Sequence, residues 1–316
     1  MDFTFRLFES KDFFPVLDFF NKYGIASTVT ERMWKRMVLL DPNFDPQWFI
    51  VAEKDGVLAG MIYVIRRLVP IDTGGDLDAD RAWINAFAVL PEYVETLGRE
   101  LILKAEELAR SANVTTLVAT SYTPNYFTQG IDVVNFPAYA ELFEAMGYVL
   151  METSNSMRLE LDQYQPTDRS TEEKEALAKE GISFSVLTGD KLLSLLDYMK
   201  HYSTPGWTCR IRKLLMDDNS YERVHLALHG EKVIGFNIHG DPDSDIHRFG
   251  PYSVSTDYRG KGIGRVLLEE CLMDMKCSGL DHVWFQWASG DRAPVLYRKL
   301  GFRETGEYNT YNKSLA

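Results

Sequence analysis

Three glycines at alternate positions, Gly260, Gly262 and Gly264, stand between an extended β-branched run ending at Val254 and a stretch with helical periodicity. That order predicts a strand, a glycine-rich turn and a helix N-terminus. The first turn of a helix carries unpaired backbone N–H groups and a partial positive charge, and residues without Cβ let those groups close around phosphate oxygens. Arg259 and Lys261 add full positive charges beside the same amides. The chemistry this suits is the holding of a phosphorylated ligand. A nucleoside-triphosphate loop is excluded, because its leading Gly and its Ser or Thr after the GK pair are replaced by Ser255 and Gly262. A dinucleotide fingerprint is excluded too, because its third glycine falls on Arg265 or Leu267.

Arg259, Gly260, Lys261, Gly262, Ile263 and Gly264 resemble the Q/R-x-x-G-x-G/A signature of the GCN5-related N-acetyltransferases (GNAT). The resemblance implies that these residues seat the pyrophosphate of coenzyme A and that acetyl-CoA is the co-substrate. Further on, Asp291 to Phe302 (DRAPVLYRKLGF) is similar to the family's RA-x-x-LY-x-K-x-GF motif. It implies that Tyr297 protonates the leaving thiolate, a group with a free pKa of about 8.5. In the family, main-chain groups of the strand matching Tyr252, Ser253 and Val254 hold the pantetheine arm, and the Val254 N–H is the candidate to polarise the carbonyl. One departure is Gly290, where the family usually has Asn. The mechanism implied is direct attack by an amine, with a general base still required; Asp245, His247 and His239 are the candidates near the strands leading to the site.

The elements that must position these residues can be read from periodicity. In the predicted helix, Leu267, Leu268, Cys271, Leu272 and Met275 share one arc at about 100° per residue, with Arg265, Glu269 and Lys276 opposite on a face expected to be solvated. The chain also repeats itself. Phe3 to Phe20 is similar to Ile182 to Met199, each an alternating strand followed by an amphipathic helix. Phe49 to Val64 is similar to Val224 to His239, each a hairpin, with Gly60 falling on Gly235. Phe87 to Tyr93 falls on Tyr252 to Tyr258, and Ala140 to Tyr148 on Pro294 to Phe302. Helical patterns separate successive strands, so each half is expected to be α/β, a mixed sheet flanked by helices. The expected division is a first domain over 1–161, a linker over 162–180 and a second domain over 181–316.

Comparing the halves locates the chemistry. Residues 94 to 99 are Val, Glu, Thr, Leu, Gly and Arg where the second half has Arg, Gly, Lys, Gly, Ile and Gly. Glu95 puts a negative charge where phosphate would sit, Leu97 and Arg99 replace glycines, and Phe143, matching Tyr297, has no proton to give. The first half therefore reads as a copy of the fold without coenzyme. An aromatic segment found only there, Tyr122 to Pro137, is expected either to cover an apolar patch or to form a wall of the acceptor site.

Composition bounds the rest. Apolar residues make up 45% of 316, enough for real cores, and a net charge of −12 argues against nucleic acid. No apolar run approaches the ~18 residues of a membrane span, and MDFTFRLFES has neither a basic region nor a cleavage pattern, so a cytoplasmic protein without membrane partners is expected. Cys209, Cys271 and Cys277 form no metal-ligand spacing, and no metal site is expected. The resulting expectation is an acetyl-CoA-dependent N-acetyltransferase acting on a small primary amine. The alternatives are a non-catalytic acetyl-CoA sensor or partner-binding module, and an acyltransferase using another acyl-CoA.

Overall fold

The computed structural model describes residues 2–25, 29–71, 77–123, 127–216, 220–241, 245–288, 290 and 293–316. Asp291 and Arg292 of the second motif, and residues 124–126 of the aromatic segment, lie outside them. The chain divides into two compact units, Met1–Asn155 with Gly306–Ala316, and Ser156–Thr305.

The first unit contains β1 (Thr4–Leu7), α1 (Phe13–Tyr23), α2 (Glu31–Trp34), the hairpin β2 (Phe49–Lys54) and β3 (Val57–Ile65), β4 (Arg81–Val89), α3 (Arg99–Ser111), β5 (Thr116–Ala119), β6 (Ile131–Asp132), α4 (Pro137–Ala145) and the start of β7 (Val149–Glu160). Strands β1 to β4 pair antiparallel in chain order, and β5 joins β4 in parallel from Arg81↔Thr116 to Ile84↔Ala119. One face carries Ile50, Ile62, Ile84 and Phe87 under α3 and α4; the other carries Val51, Met61 and Tyr63 under α1 and α2. Period-two alternation of bulky side chains along each strand produces the two layers.

The second unit contains the end of β7, α5 (Asp168–Lys179), β8 (Ile182–Val186), α6 (Leu192–Tyr202), α7 (Pro205–Leu215), the hairpin β9 (Val224–His229) and β10 (Lys232–His239), β11 (Phe249–Val254), α8 (Ile263–Cys277), β12 (His282–Ala288), α9 (Ala293–Lys299) and the start of β13 (Arg303–Ser314). Strands β8, β9, β10 and β11 form an antiparallel sheet in that order. Leu226, Leu228, Phe236 and Ile238 pack with α6 and α7, while Ala227 and Ile234 pack with α8 and Leu177 of α5. This is the mixed α/β architecture expected from the repeats.

The division differs from the expected one in two ways. Residues 306–316 belong to the first unit, although they end the second copy in sequence: β13 runs antiparallel to β5 from Tyr311↔Ala119 to Ser314↔Thr116, and Tyr311 and Leu315 are buried in the first core. Conversely Met157, Leu161 and Tyr164 are buried in the second core. Two similar terminal strands carry the same local pattern, so periodicity alone assigns each to the nearer copy.

The second difference is that residues 162–180 are not a free linker. Thr167 caps α5 by accepting from the Ser170 amide, and Leu177 is buried beside Val266 and Leu267. Glu269, expected on a solvated face, is only 2% exposed, because Thr167 donates to its carboxylate through N (2.7 Å) and Oγ1 (2.9 Å). Helix α5 covers that face of α8.

Candidate active site

Strand β11 is the edge of its sheet and meets β12 at a single parallel bridge, Arg248↔Trp284, where the Trp284 amide donates to the His247 carbonyl at 3.1 Å. Beyond that bridge, among the described residues, no strand pairs with the outer edge of β11. Which groups face that unpaired edge follows from register. The Ser255 amide donates to the Ile234 carbonyl at 2.9 Å, so in an antiparallel ladder the main-chain groups of Val254 and Tyr252 point to the opposite edge. The Val254 carbonyl there receives Arg259 Nε at 3.4 Å. Ser253, pointing the other way, meets the Tyr198 hydroxyl at 3.1 Å through its Oγ.

The chain then turns into α8. Gly260 and Gly262 have φ of +83° and +89°, the left-handed region that side chains disfavour, and Gly262 caps the helix whose first turn holds Ile263 and Gly264. A Cβ on Gly264 would collide with the Tyr252 hydroxyl, so the packing of that side chain against the turn favours glycine. A Cβ on Gly262 would lie 2.6 Å from Glu173 Oε2 of α5. That carboxylate also lies 3.3 Å from Arg265 Nε, and its Oε1 accepts from Arg169 Nε at 2.8 Å. Lys261 pairs with Glu180 at 2.7 Å. Two protein carboxylates thus stand beside the turn, each held by a basic side chain. Sequence reasoning missed Glu173 and Glu180, because both lie in the segment taken as a linker.

Tyr297 of α9 is buried against Phe285 and Phe302, with ring centroids at 4.4 and 5.4 Å, and its ring lies 6.4 Å from that of Phe249 on β11. Burial pushes its hydroxyl well above the ordinary tyrosine range, so it keeps its proton at neutral pH. Burial raises Tyr252 likewise, and the neighbouring Tyr297 hydroxyl adds to the effect. Tyr297 is 7% exposed, and burial is the cause of its own shift. The candidate bases separate. Asp245 and His247, joined at 2.8 Å, lie where β11 and β12 meet, with His247 stacked on His282 at 4.1 Å. His239 lies elsewhere, on the α8 face of the sheet.

The matching places in the first unit are filled by its own chain. The parity is the same, since the Leu90 amide donates to the Ala59 carbonyl, leaving Asn85, Phe87 and Val89 to face outward. The Phe87 carbonyl accepts from the Ile25 amide at 3.1 Å, and the Asn85 carbonyl from Thr128 Oγ1 at 3.0 Å. The Tyr139 hydroxyl accepts from the Val89 amide at 2.9 Å and lies 3.0 Å from the Val89 carbonyl. A π turn over Val94–Gly98 runs straight into α3, and Leu97 is fully buried with its Cδ2 against Gly60. Phe143 is fully buried as well. In the aromatic segment, Tyr122 and Phe127 join the core, the latter against Phe20 and Trp34.

Two family models match the chain: an acetyltransferase (GNAT) family model over residues 15–130 and an acetyltransferase (GNAT) domain model over residues 220–304. The chain belongs to the GCN5-related N-acetyltransferase family as a tandem member, and is an acyltransferase. Proteins of this family use acetyl-CoA as co-substrate and act on small-molecule or protein amine acceptors. Comparison with curated protein sequences gives no match. Among solved structures, the GCN5-related glucosamine N-acetyltransferase region of a fungal multi-domain GH3 β-N-acetylglucosaminidase superposes with a TM-score of 0.79 at 15% identity, covering 99% of this chain and 38% of that one. A GCN5-related N-acetyltransferase from Sphaerobacter thermophilus gives 0.70 at 17% identity, covering 99% and 96%. A tandem GNAT protein from the clavulanic acid biosynthesis pathway gives 0.64 at 18%, covering 100% and 99%. At these identities the likeness is one of fold. No helix among the described residues is long and apolar enough to cross a membrane.

Proposed function

We propose that the second unit transfers an acetyl group from acetyl-CoA to a primary amine of a small acceptor, and that the first unit binds no coenzyme. The observation that carries this reading is the unpaired outer edge of β11 at Tyr252 and Val254 leading into the left-handed glycine turn at the start of α8, set against the filled edge of β4. The glycines fit the coenzyme's pyrophosphate, since Gly260 has open space where a Cβ would stand and the basic side chain of Lys261 beside the turn already pairs with a carboxylate. Arg259, Gly260, Lys261, Gly262, Ile263 and Gly264 would hold that group through turn amides and flanking charge. Tyr252, Ser253 and Val254 would line the pantetheine arm, with the outward main-chain groups of Tyr252 and Val254 as its partners.

When bound, acetyl-CoA supplies an electrophilic thioester carbonyl and a thiolate leaving group. The protein's part is to orient that carbonyl along β11, to give up the Glu173 carboxylate from the turn to the incoming pyrophosphate, and to hold a proton on Tyr297 for the departing sulfur. The acceptor is tested by incubating the full chain with acetyl-CoA and a panel of amines, amino acids, polyamines, aminoglycosides and amino sugars. Thiol release and product mass are the readouts, and acetylation of at least one amine is expected. Coenzyme binding without turnover on any amine would favour a sensor, and turnover only with longer acyl-CoA donors would change the donor.

A further inference from the structure

On the face of the second unit's sheet that α8 covers, three side chains from three elements converge. His225 is on β9, His239 ends β10, and Asp274 is near the end of α8. His225 Nε2 lies 3.6 Å, and His239 Nε2 3.9 Å, from the same carboxylate oxygen, Asp274 Oδ2. One ligand atom from each residue can be chosen so that all three lie within 4.8 Å of one another. The histidines are 5% and 4% exposed, and neither His225 Nε2 nor His239 Nδ1 has a hydrogen-bond partner among the described residues. A buried imidazole nitrogen left without a partner costs on the order of 1–3 kcal/mol. The unpartnered His225 Nε2 faces the Asp274 carboxylate just beyond hydrogen-bond reach and a second buried ring faces the same oxygen through its Nε2, which is not ordinary core packing.

We propose that His225, His239 and Asp274 form a binding site for one divalent transition-metal ion of the zinc type. Two imidazoles and a carboxylate are a donor set that zinc accepts, and a tetrahedral ion with bonds of about 2.0–2.2 Å separates its ligand atoms by about 3.4 Å. The observed 3.6 and 3.9 Å come within about half an ångström of that spacing. Asp274 can supply the remaining movement, because its side chain is 43% exposed while both rings are buried. Burial keeps both imidazoles neutral, the form that coordinates, and the Ile246 carbonyl stands close enough to His239 to act on its ring. Arg223 opposes the site with a positive charge near His239, and Asp274 supplies the opposite charge.

His225 and Asp274 also line a cavity of ≈ 270 Å³, together with Glu270, Met273 and Cys277. Three protein ligands, two of them lining a cavity, leave a coordination position for water or a small anionic ligand, the arrangement of an accessible site rather than a closed structural one. The three ligands come from separate elements, so no sequence spacing announces them. The second histidine cluster is a weaker candidate. His247 Nδ1 is already bonded to Asp245, and His282 Nδ1 to Asp281 at 2.6 Å.

The test is calorimetric titration of the chelator-treated full chain with Zn²⁺, with Co²⁺ as the spectroscopic probe. One zinc per chain at about micromolar affinity or tighter is expected, with the visible absorption of four-coordinate cobalt. Asp274→Asn, half-exposed and nearly isosteric, should leave circular dichroism unchanged and weaken zinc by at least about 100-fold, more than loss of an outer partner would. His225→Gln should abolish the cobalt spectrum. Millimolar binding, full affinity in Asp274→Asn, or loss of binding in His282→Gln instead would each overturn the assignment.

Discussion

Val89 and Val254 occupy the same place in the two copies of the fold, at the end of a strand whose outward main-chain groups have the same parity. At Val89 a tyrosine hydroxyl sits on those groups, and one residue of chain after α1 takes the carbonyl of Phe87. At Val254 an arginine Nε reaches the carbonyl at 3.4 Å. The difference teaches that losing a binding site need not mean losing the backbone that made it. The first unit keeps the strand and the following helix, and satisfies the exposed polar groups internally. Tyr139, which does much of this, falls on Ala293 in the second copy, so the sealing residue is absent from the unit that retains the glycine turn.

The comparison can be broken most directly at the turns. Gly262→Glu should reduce acetyl-CoA affinity by at least about 100-fold, about 2.7 kcal/mol, with the helical content of the chain unchanged. The matched change in the first unit, Leu97→Gly, should create no second site, because β4 remains sealed. Calorimetry should give one acetyl-CoA per chain in the wild type and in Leu97→Gly, whereas two per chain in either would show that the edge, not the turn, was misjudged.

Next in size is the proton. Tyr297→Phe should lower kcat by about 10²–10⁴-fold with little change in coenzyme affinity, while Phe143→Tyr in the first unit should have no effect on turnover. A Tyr297→Phe enzyme with full kcat would make the ring a packing residue like its counterpart.

The exchange of terminal strands predicts where a stability change is felt. Tyr311 is fully buried and its hydroxyl donates to Glu144 at 2.9 Å, so Tyr311→Ala should cost about 3–5 kcal/mol. The loss should unfold the first unit, seen by hydrogen exchange over β4 and β5, and spare coenzyme binding in the second. The same exchange means that a fragment beginning near Glu180 lacks Met157, Leu161 and Tyr164 from its core and should not fold, which circular dichroism of that fragment would decide.

A smaller asymmetry is one of pH. All 6 histidines lie in the second half of the sequence, and burial lowers His225 and His239 from 6.5 to about 4. Their folded pKa is below the unfolded one, so the unfolded chain binds more protons between those values and stability falls as pH drops from about 6.5 toward 4. With metal removed, the second unit should lose on the order of a few kcal/mol across that window, with no histidine contribution in the first. Urea midpoints at several pH values, read by hydrogen exchange in each unit, would expose equal losses if the idea is wrong.

The smallest expected effect is at Glu173. Its carboxylate stands against Gly262 at the start of α8, so Glu173→Gln should tighten acetyl-CoA binding by about 2–10-fold, the scale of one charge at a helix N-terminus. An unchanged affinity would mean that Glu173 leaves the turn without cost.

The sequence by itself determined the two copies, their α/β order and the unequal turns. These are local properties: hairpins and amphipathic helices follow from periodicity, and three glycines against Val94, Leu97 and Arg99 need no tertiary context to be told apart. The tertiary structure decided which partners long-range geometry brings together. Only packing moves residues 306–316 into the first core, lays α5 along α8 so that Glu269 is buried and Glu173 reaches Gly262, and puts the Tyr139 hydroxyl on Val89. The converging His225, His239 and Asp274 belong to the same class, because residues far apart in the chain meet through strand register and helix docking, which no spacing records.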